Sequence, residues 1–117
     1  MDFFSRLMGP PVPSLTAQEA SEKLKAAKRP LVLDVRQPEE YREAHIAGAK
    51  LIPLGELQRK LDELPKGKEI ICVCASGSRS HSAARMLLQA GYNVFDLKGG
   101  MFTWQRAGLP VKTGNAA

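Results

Sequence analysis

The sequence contains only two cysteines, Cys72 and Cys74, which stand two positions apart. So close a pair cannot supply the disulfide framework of a small secreted domain. The sequence has two histidines, His45 and His81, and together with a Cys-x-Cys pair they make a poor zinc pattern, so we expect no metal. The scarcity of cysteine fits a reducing compartment, and we expect a cytoplasmic protein.

Long apolar runs are also missing. Residues 1–8 carry an acid near their start and no stretch that is apolar for long enough to form a signal peptide or a membrane helix, so we expect no stable insertion into a membrane. The net charge is +5, but Lys and Arg are scattered and form no run or stripe, which argues against nucleic acid as a partner. Such a surface still raises the local concentration of small anions.

The chain has the size and composition of one folded domain. It has 117 residues, of which 44% are hydrophobic and 25% charged, close to the average for soluble proteins. The proline-rich stretch at residues 9–13 cannot continue a helix and favours an extended chain. We therefore predict a flexible N-terminal tail at residues 1–11, one domain at 12–113 and a C-terminal tail at 114–117.

Strand and helix patterns alternate along the domain. Thr16 and Glu19 form a capping-box pattern that predicts a first helix. Apolar or β-branched runs predict strands near residues 31–36, 51–53, 69–74 and 94–97, and apolar stripes or turn signals predict helices at 38–43, 54–64, from 80 onward and at 101–107. This alternation is typical of the α/β class, with a mostly parallel central sheet and helices on both faces.

The end of the strand at residues 69–74 is the best candidate for a functional site. Cys74 directly precedes a loop of small residues that opens a helix, so its thiol should face backbone N–H groups that no helical bond uses. Those donors, the helix start and nearby Arg79 should lower the pKa of the thiol and stabilise a bound anion. Gly77 lets the backbone curve around the sulfur. Cys72 lies inside the strand, where an apolar filler role is the simpler reading.

At these residues the sequence resembles the rhodanese-like family, over most of the chain from about Val12 to Val111. Four stretches match the motifs of that family in order and spacing. They are LDVR with PEEY at 33–41, HIAGA with IP at 45–53, CASGSRS at 74–80, and LKGGM with Trp104 and GLPV at 97–111. The resemblance implies the rhodanese fold and a single-domain sulfurtransferase that uses no cofactor.

The resemblance also implies roles for individual residues. Cys74 is the catalytic nucleophile, and Asp34 and Arg36 support the active-site loop. The substrate-binding loop consists of Ala75, Ser76, Gly77, Ser78, Arg79 and Ser80. In this family six-residue loops accompany sulfur transfer and seven-residue loops accommodate phosphate or arsenate. Cys74 to Arg79 spans six positions, and a phosphatase would have arginine where Ser80 stands.

The implied reaction has two halves, in which the Cys74 thiolate takes sulfur from a donor and the persulfide is then attacked by a thiol or cyanide. The donor is a small sulfur anion, thiosulfate or glutathione persulfide, or a persulfidated partner protein. Ala75 and Ser76 stand where thiosulfate-favouring members often carry cations, which leaves the donor open. Three alternatives remain, namely a noncatalytic interaction module, a phosphatase or arsenate reductase on the same scaffold, and a redox sensor that pairs Cys72 with Cys74.

Overall fold

The fold is that of a computed structural model, and it is described for residues 10–117. Most of the N-terminal tail predicted at 1–11 therefore lies outside the described residues, and only Pro10 and Pro11 of that tail are seen, both exposed. The predicted end of the domain at residue 113 stays a prediction. Beyond it, Gly114 donates a backbone hydrogen bond of 2.8 Å to Arg42, and the carbonyl of Ala116 lies 2.7 Å from Nε2 of His45.

Strands and helices alternate along the described chain, as the sequence patterns predict, with five α-helices and five strands, one strand more than predicted. The strands are β1 (Ser14–Leu15), β2 (Leu31–Asp34), β3 (Lys50–Leu51), β4 (Ile70–Val73) and β5 (Val94–Leu97). The helices are α1 (Ala17–Leu24), α2 (Pro38–Glu43), α3 (Leu54–Leu57), α4 (Ser78–Gln89) and α5 (Gly100–Arg106), and a 3₁₀ helix (Gln58–Glu63) follows α3.

The first helix shows how local chemistry sets an element boundary. The Thr16 side chain accepts a hydrogen bond from the Glu19 N–H at 3.1 Å, and the Glu19 carboxylate accepts one from the Thr16 N–H at 2.9 Å. This reciprocal pairing is the capping box predicted from the sequence, and it satisfies two backbone donors that helix formation leaves without partners.

All five strands are parallel, in the order β1-β5-β4-β2-β3. Strand β4 therefore lies at the centre, with β5 on one side and β2 on the other. Because the carboxyl ends of parallel strands meet at one edge, residues that follow β2, β4 and β5 are brought together there. The α/β class and the parallel sheet predicted from the sequence are confirmed.

Two hydrophobic clusters cover the two faces of the sheet. Alternate residues of β4 point to opposite faces, so that Ile70 and Cys72 join one cluster while Ile71 and Val73 join the other. Helices α3 and α4 contribute to the first cluster through residues such as Leu57, Ala83, Ala84 and Leu87. Helices α1, α2 and α5 contribute to the second through residues such as Ala20, Tyr41, Met101 and Trp104. The predicted core role of Trp104 is thus confirmed.

Two elements differ from the prediction. The apolar stripe at residues 54–64 does not form one α-helix, because the α-helical hydrogen bonds end after Leu57 and Lys60 has non-helical angles (φ −113°, ψ 15°). Strand β1 has only two residues and follows Pro13, too short for any alternating pattern to reveal it.

Over residues 10–117, no helix is both long and apolar enough to cross a membrane.

Candidate active site around Cys74

Cys74 follows the last residue of the central strand and lies at the carboxyl edge of the sheet. It is buried, with a residue exposure of 0%, and belongs to the cluster that packs under α4. The loop above it is more open, since Ser76 and Ser78 are exposed and Ala75, Gly77 and Arg79 are partly so. The sulfur thus lies beneath a short loop of small residues.

Gly77 brings the backbone of this loop to the sulfur. Its φ of 113° lies in the left-handed region that residues with a Cβ rarely adopt, and it forms the N-cap of α4. In this conformation the Gly77 N–H donates a hydrogen bond of 3.0 Å to Sγ of Cys74. A backbone donor at a helix start stabilises negative charge on the sulfur. The sequence analysis predicted that Gly77 lets the backbone curve around the sulfur in this way.

The first turn of α5 holds the loop from the other side. The Met101 N–H donates to the Cys74 carbonyl at 2.8 Å, and the Phe102 N–H donates to the Ala75 carbonyl at 3.0 Å. These bonds require a close approach at Gly100, where an added Cβ would lie 2.8 Å from the Ala75 carbonyl oxygen and nearer still to that of Cys74. Gly100 therefore positions the cysteine loop, a role that the sequence analysis did not predict for this residue of the LKGGM stretch.

A buried polar chain extends from the sulfur toward β5. The Cys74 Sγ lies 3.3 Å from Oγ of Ser80, and that hydroxyl lies 2.5 Å from Oδ1 of Asp96. The other carboxylate oxygen of Asp96 is 3.8 Å from Nδ1 of His81. Burial raises the pKa of the Asp96 carboxyl, and the hydrogen bond from Ser80 and the proximity of His81 oppose that shift.

Arg79 points to a carboxylate. Its two guanidinium Nη atoms each donate a 2.8 Å hydrogen bond to Glu40 of α2, in the bidentate geometry that makes such pairs strong. This contact with Arg79 holds the pKa of Glu40 at about 2, well below its ordinary value. The predicted role of Arg79 in binding a substrate anion stays a prediction, and in this structure its charge is already compensated.

Asp34 and Arg36 form a second bidentate pair at the end of β2. Nε of Arg36 lies 2.9 Å from one Asp34 oxygen and Nη2 lies 2.7 Å from the other, with both residues buried. Arg36 also donates to the carbonyl of Ala44 at 2.7 Å, which ties the strand to the end of α2. These contacts fit the predicted supporting role, in which the two residues brace the edge of the sheet.

Cys72 lies one strand period before Cys74 on the same face of β4. It is buried with a residue exposure of 0%, and burial together with the charges of Asp96 and Cys74 raises the pKa of its thiol far above the ordinary value. Such a thiol stays protonated and unreactive at neutral pH. The structure therefore favours the filler role predicted for Cys72.

Of the predicted loop residues, Gly77 and Ser80 contact the Cys74 sulfur, and two acids that sequence reasoning missed contact the loop. Glu40 contacts Arg79 across 39 positions of sequence and Asp96 contacts Ser80 across 16. For Asp96 the sequence does hold a signal, because an acid stands in the otherwise apolar strand β5. For Glu40 it holds none, since the PEEY segment offers two adjacent acids and only one, Glu40, faces the loop.

Comparison with known proteins gives a consistent result. Residues 16–107 match the family described as "Rhodanese-like domain". A sulfurtransferase of Allochromatium vinosum is 33% identical over 101 residues, which cover 86% of this chain and 94% of that protein. The thiosulfate sulfurtransferase GlpE of Coxiella burnetii is 37% identical over 89 residues, covering 74% of this chain and 81% of the relative.

A solved structure and longer relatives extend the comparison. The crystal structure of a rhodanese-related protein from Thermoplasma volcanium superposes with a TM-score of 0.81 at 38% identity, covering 86% of this chain and 97% of that one. The chain spans about half the length of some curated relatives, including 51% of the YrkF protein of Bacillus subtilis.

Proposed function

This chain belongs to the rhodanese-like domain family, and on that premise we propose that it accepts sulfane sulfur on Cys74 as a persulfide and transfers it to a thiol or cyanide acceptor. The names of its relatives support a sulfurtransferase type of activity. The nucleophile, the donor and the acceptor are part of what we propose.

The observation that carries the proposal is the hydrogen bond from the Gly77 N–H to Sγ of Cys74, 3.0 Å long, at the start of α4. A donor in that position favours a thiolate and, after reaction, the anion of a persulfide. A second buried thiol two residues earlier lacks this environment and has a raised pKa. The site therefore distinguishes one cysteine from the other by its surroundings.

The chemistry needs two displacements at sulfur. In the first, the Cys74 sulfur attacks the outer sulfur of the donor, a new S–S bond forms, and the remainder of the donor leaves with the electron pair of the broken S–S bond. In the second, an acceptor thiolate or cyanide attacks the outer persulfide sulfur, and Cys74 leaves with the electron pair. Neither step involves a net oxidation or reduction of the reactants taken together, so no redox cofactor is required.

Access to the sulfur depends on the loop. Because Cys74 is fully buried, the loop of residues 75–79 must shift before a donor can reach Sγ. Residues 75–78 carry side chains no larger than a hydroxymethyl group, so a shift within that part of the loop displaces no large side chain and leaves the Arg79–Glu40 pair in place. The exposed Ser76 and Ser78 hydroxyls are available to a bound donor once it has entered.

Charge at the site bears on the donor. Both arginines near the loop, Arg36 and Arg79, are held by carboxylates, at 2.7 Å from Asp34 and 2.8 Å from Glu40. Binding of a dianion such as thiosulfate is stabilised only weakly by arginines whose charge is already compensated by carboxylates. We therefore propose a donor whose departing group is a thiolate, with one negative charge at the reacting end, rather than the sulfite dianion, namely a persulfide on glutathione or on a partner protein, in the cytoplasm, with no nucleic acid involved.

Intact mass spectrometry tests this function. After incubation with glutathione persulfide and removal of excess donor, the protein should gain one sulfur, about 32 Da, and lose it when cyanide is added. Cys74→Ser should abolish the gain, whereas the matched control Cys72→Ser should retain it. Sulfur uptake that persists in Cys74→Ser and disappears in Cys72→Ser would falsify the assignment.

A further inference from the structure

The Ser80 hydroxyl has one hydrogen and three polar neighbours. Its Oγ lies 3.3 Å from Sγ of Cys74, 3.2 Å from the Gly77 carbonyl and 2.5 Å from Oδ1 of Asp96. The carbonyl and the carboxylate can only accept a hydrogen bond. When Ser80 donates its hydrogen to Asp96, by far the shortest contact, it can only accept from Cys74, which must then carry its proton.

This arrangement links the charge of the sulfur to that of the carboxylate. If Cys74 becomes a thiolate, the Ser80 hydrogen turns toward the sulfur, and a charged Asp96 loses its shortest hydrogen bond and keeps only the His81 ring, 3.8 Å from its other oxygen. That loss is costly, since a buried carboxylate that gives up a hydrogen bond is destabilised. The loss is avoided when Asp96 itself takes up a proton.

We propose that Ser80 and Asp96 form a proton relay for Cys74, a role that rests on the proposed function of Cys74 as the nucleophile. As the sulfur attacks the donor, the Cys74 S–H proton passes to Oγ of Ser80, and the Ser80 hydroxyl proton passes to Oδ1 of Asp96. When the acceptor later removes the outer sulfur, Cys74 leaves as a thiolate and the two protons move back. Ser80 touches the reacting sulfur and is a catalytic residue, whereas Asp96 acts through it as a positioning residue.

The surroundings of Asp96 suit this role. Ser80 and Cys74 are 0% exposed and Asp96 is 6% exposed, so bulk water does not compete for the proton. Burial raises the pKa of Asp96, which brings a carboxylate closer to accepting a proton from a thiol. Three other titratable or charged groups lie near Cys74, Ser80 and Asp96. His81 of α4 lies beside Asp96, Cys72 of β4 lies beside Asp96 and Cys74, and Arg79 lies near Cys74.

The test is the pH dependence of Cys74 alkylation by iodoacetamide in Asp96→Asn, read by peptide mass spectrometry between pH 6 and 9.5. The variant keeps the size of the side chain and cannot accept the proton. We expect alkylation to be about 100-fold slower than in the parent at pH 7, the scale of one acid–base group. The deficit should shrink to about threefold or less at pH 9.5, because hydroxide then ionises the thiol directly. Alkylation needs no sulfur donor, so this result stands apart from success or failure of the sulfur-transfer assay.

Two rival roles for Asp96 predict different results. If Asp96 acts only as a fixed negative charge, its removal favours the thiolate and Asp96→Asn reacts faster at pH 7. If it only supports the fold, the deficit is the same factor at every pH. Either result overturns the relay.

Further variants keep the test independent of folding. Ser80→Ala should show the same pH-dependent deficit, and the double variant should be no slower than either single one, because both remove one relay. Asp62→Asn, an exposed acid on the 3₁₀ helix, serves as the matched control and should react like the parent. Additive deficits in the double variant would contradict the relay.

Discussion

Replacing Gly100 by alanine tests how closely α5 is fitted to the cysteine loop. Gly100 has φ of 57°, a left-handed conformation, and its Cα faces the backbone of the loop. An alanine Cβ would lie 2.8 Å from both the carbonyl carbon and the oxygen of Ala75, contacts that real Cβ atoms do not make. Because the obstructing atoms are backbone atoms, the loop and the helix must move apart.

The structure gives the size of the effect. A left-handed conformation costs a residue with a Cβ about 1 kcal/mol or more. Separation of the helix also breaks the hydrogen bonds from Met101 to Cys74 and from Phe102 to Ala75, which are 2.8 and 3.0 Å long. Each is worth about 1 kcal/mol. We expect Gly100→Ala to lower the free energy of unfolding by about 3 kcal/mol, a large share of the stability of an ordinary domain.

Urea unfolding followed by circular dichroism measures this loss, with Gly55→Ala as the matched control. Gly55 lies in α3, has a negative φ, and an added Cβ there would meet nothing within 4 Å. Alanine at that position should leave stability unchanged or raise it by up to about 1 kcal/mol. The reasoning fails if the two variants unfold at denaturant midpoints that agree within experimental error.

Two further predictions concern charge around the loop. Because Arg79 holds the pKa of Glu40 at about 2, its carboxylate stabilises the folded state fully above the ordinary pKa of about 4.3, and this contribution is lost as pH falls toward 2. Glu40→Gln should therefore unfold at a lower urea concentration than the parent at pH 7 and at the same urea concentration near pH 2. The control variant Glu39→Gln, at the neighbouring exposed position, should match the parent at both pH values. A difference between Glu40→Gln and the parent that is equal at the two pH values would refute the pairing. Ala75→Arg should raise kcat/KM for thiosulfate about tenfold, which corresponds to one charge-assisted contact of about 1.4 kcal/mol. The same variant should gain little with glutathione persulfide. Equal gains in kcat/KM for both donors would show that the charge of the loop does not determine which donor is preferred.

The features that the sequence predicts are those whose causes are local. The Thr16 capping box, the central strand and the position of Cys74 before a helix start all depend on residues within a few positions of one another. Strand β1 is not predictable from local sequence, because the two residues after Pro13 form a strand only by pairing with β5. The stripe beginning at Leu54 predicts one helix because apolar spacing does not separate an α-helix from a following 3₁₀ turn.

The contacts that finish the site are long-range and are not predictable in this way. The partners of Arg79 and Ser80 come from other elements, Glu40 of α2 and Asp96 of β5. A single sequence shows that acids occur near those positions, but the parallel order of the sheet decides which of them reaches the loop. The close fit at Gly100 is likewise a property of two packed backbones.

The central place of β4 in the sheet has a consequence for how the protein matures during synthesis. Its neighbours β2 and β5 lie on either side of it in sequence, ending at Asp34 and Leu97 respectively. A ribosome-bound chain that has released residues up to about 90 holds Cys74 and α4 but lacks Asp96 and the α5 turn that fixes the loop. Contacts this distant in sequence form late in folding. The nascent thiol should therefore behave as an ordinary cysteine and acquire its special chemistry only after β5 and α5 have emerged as well.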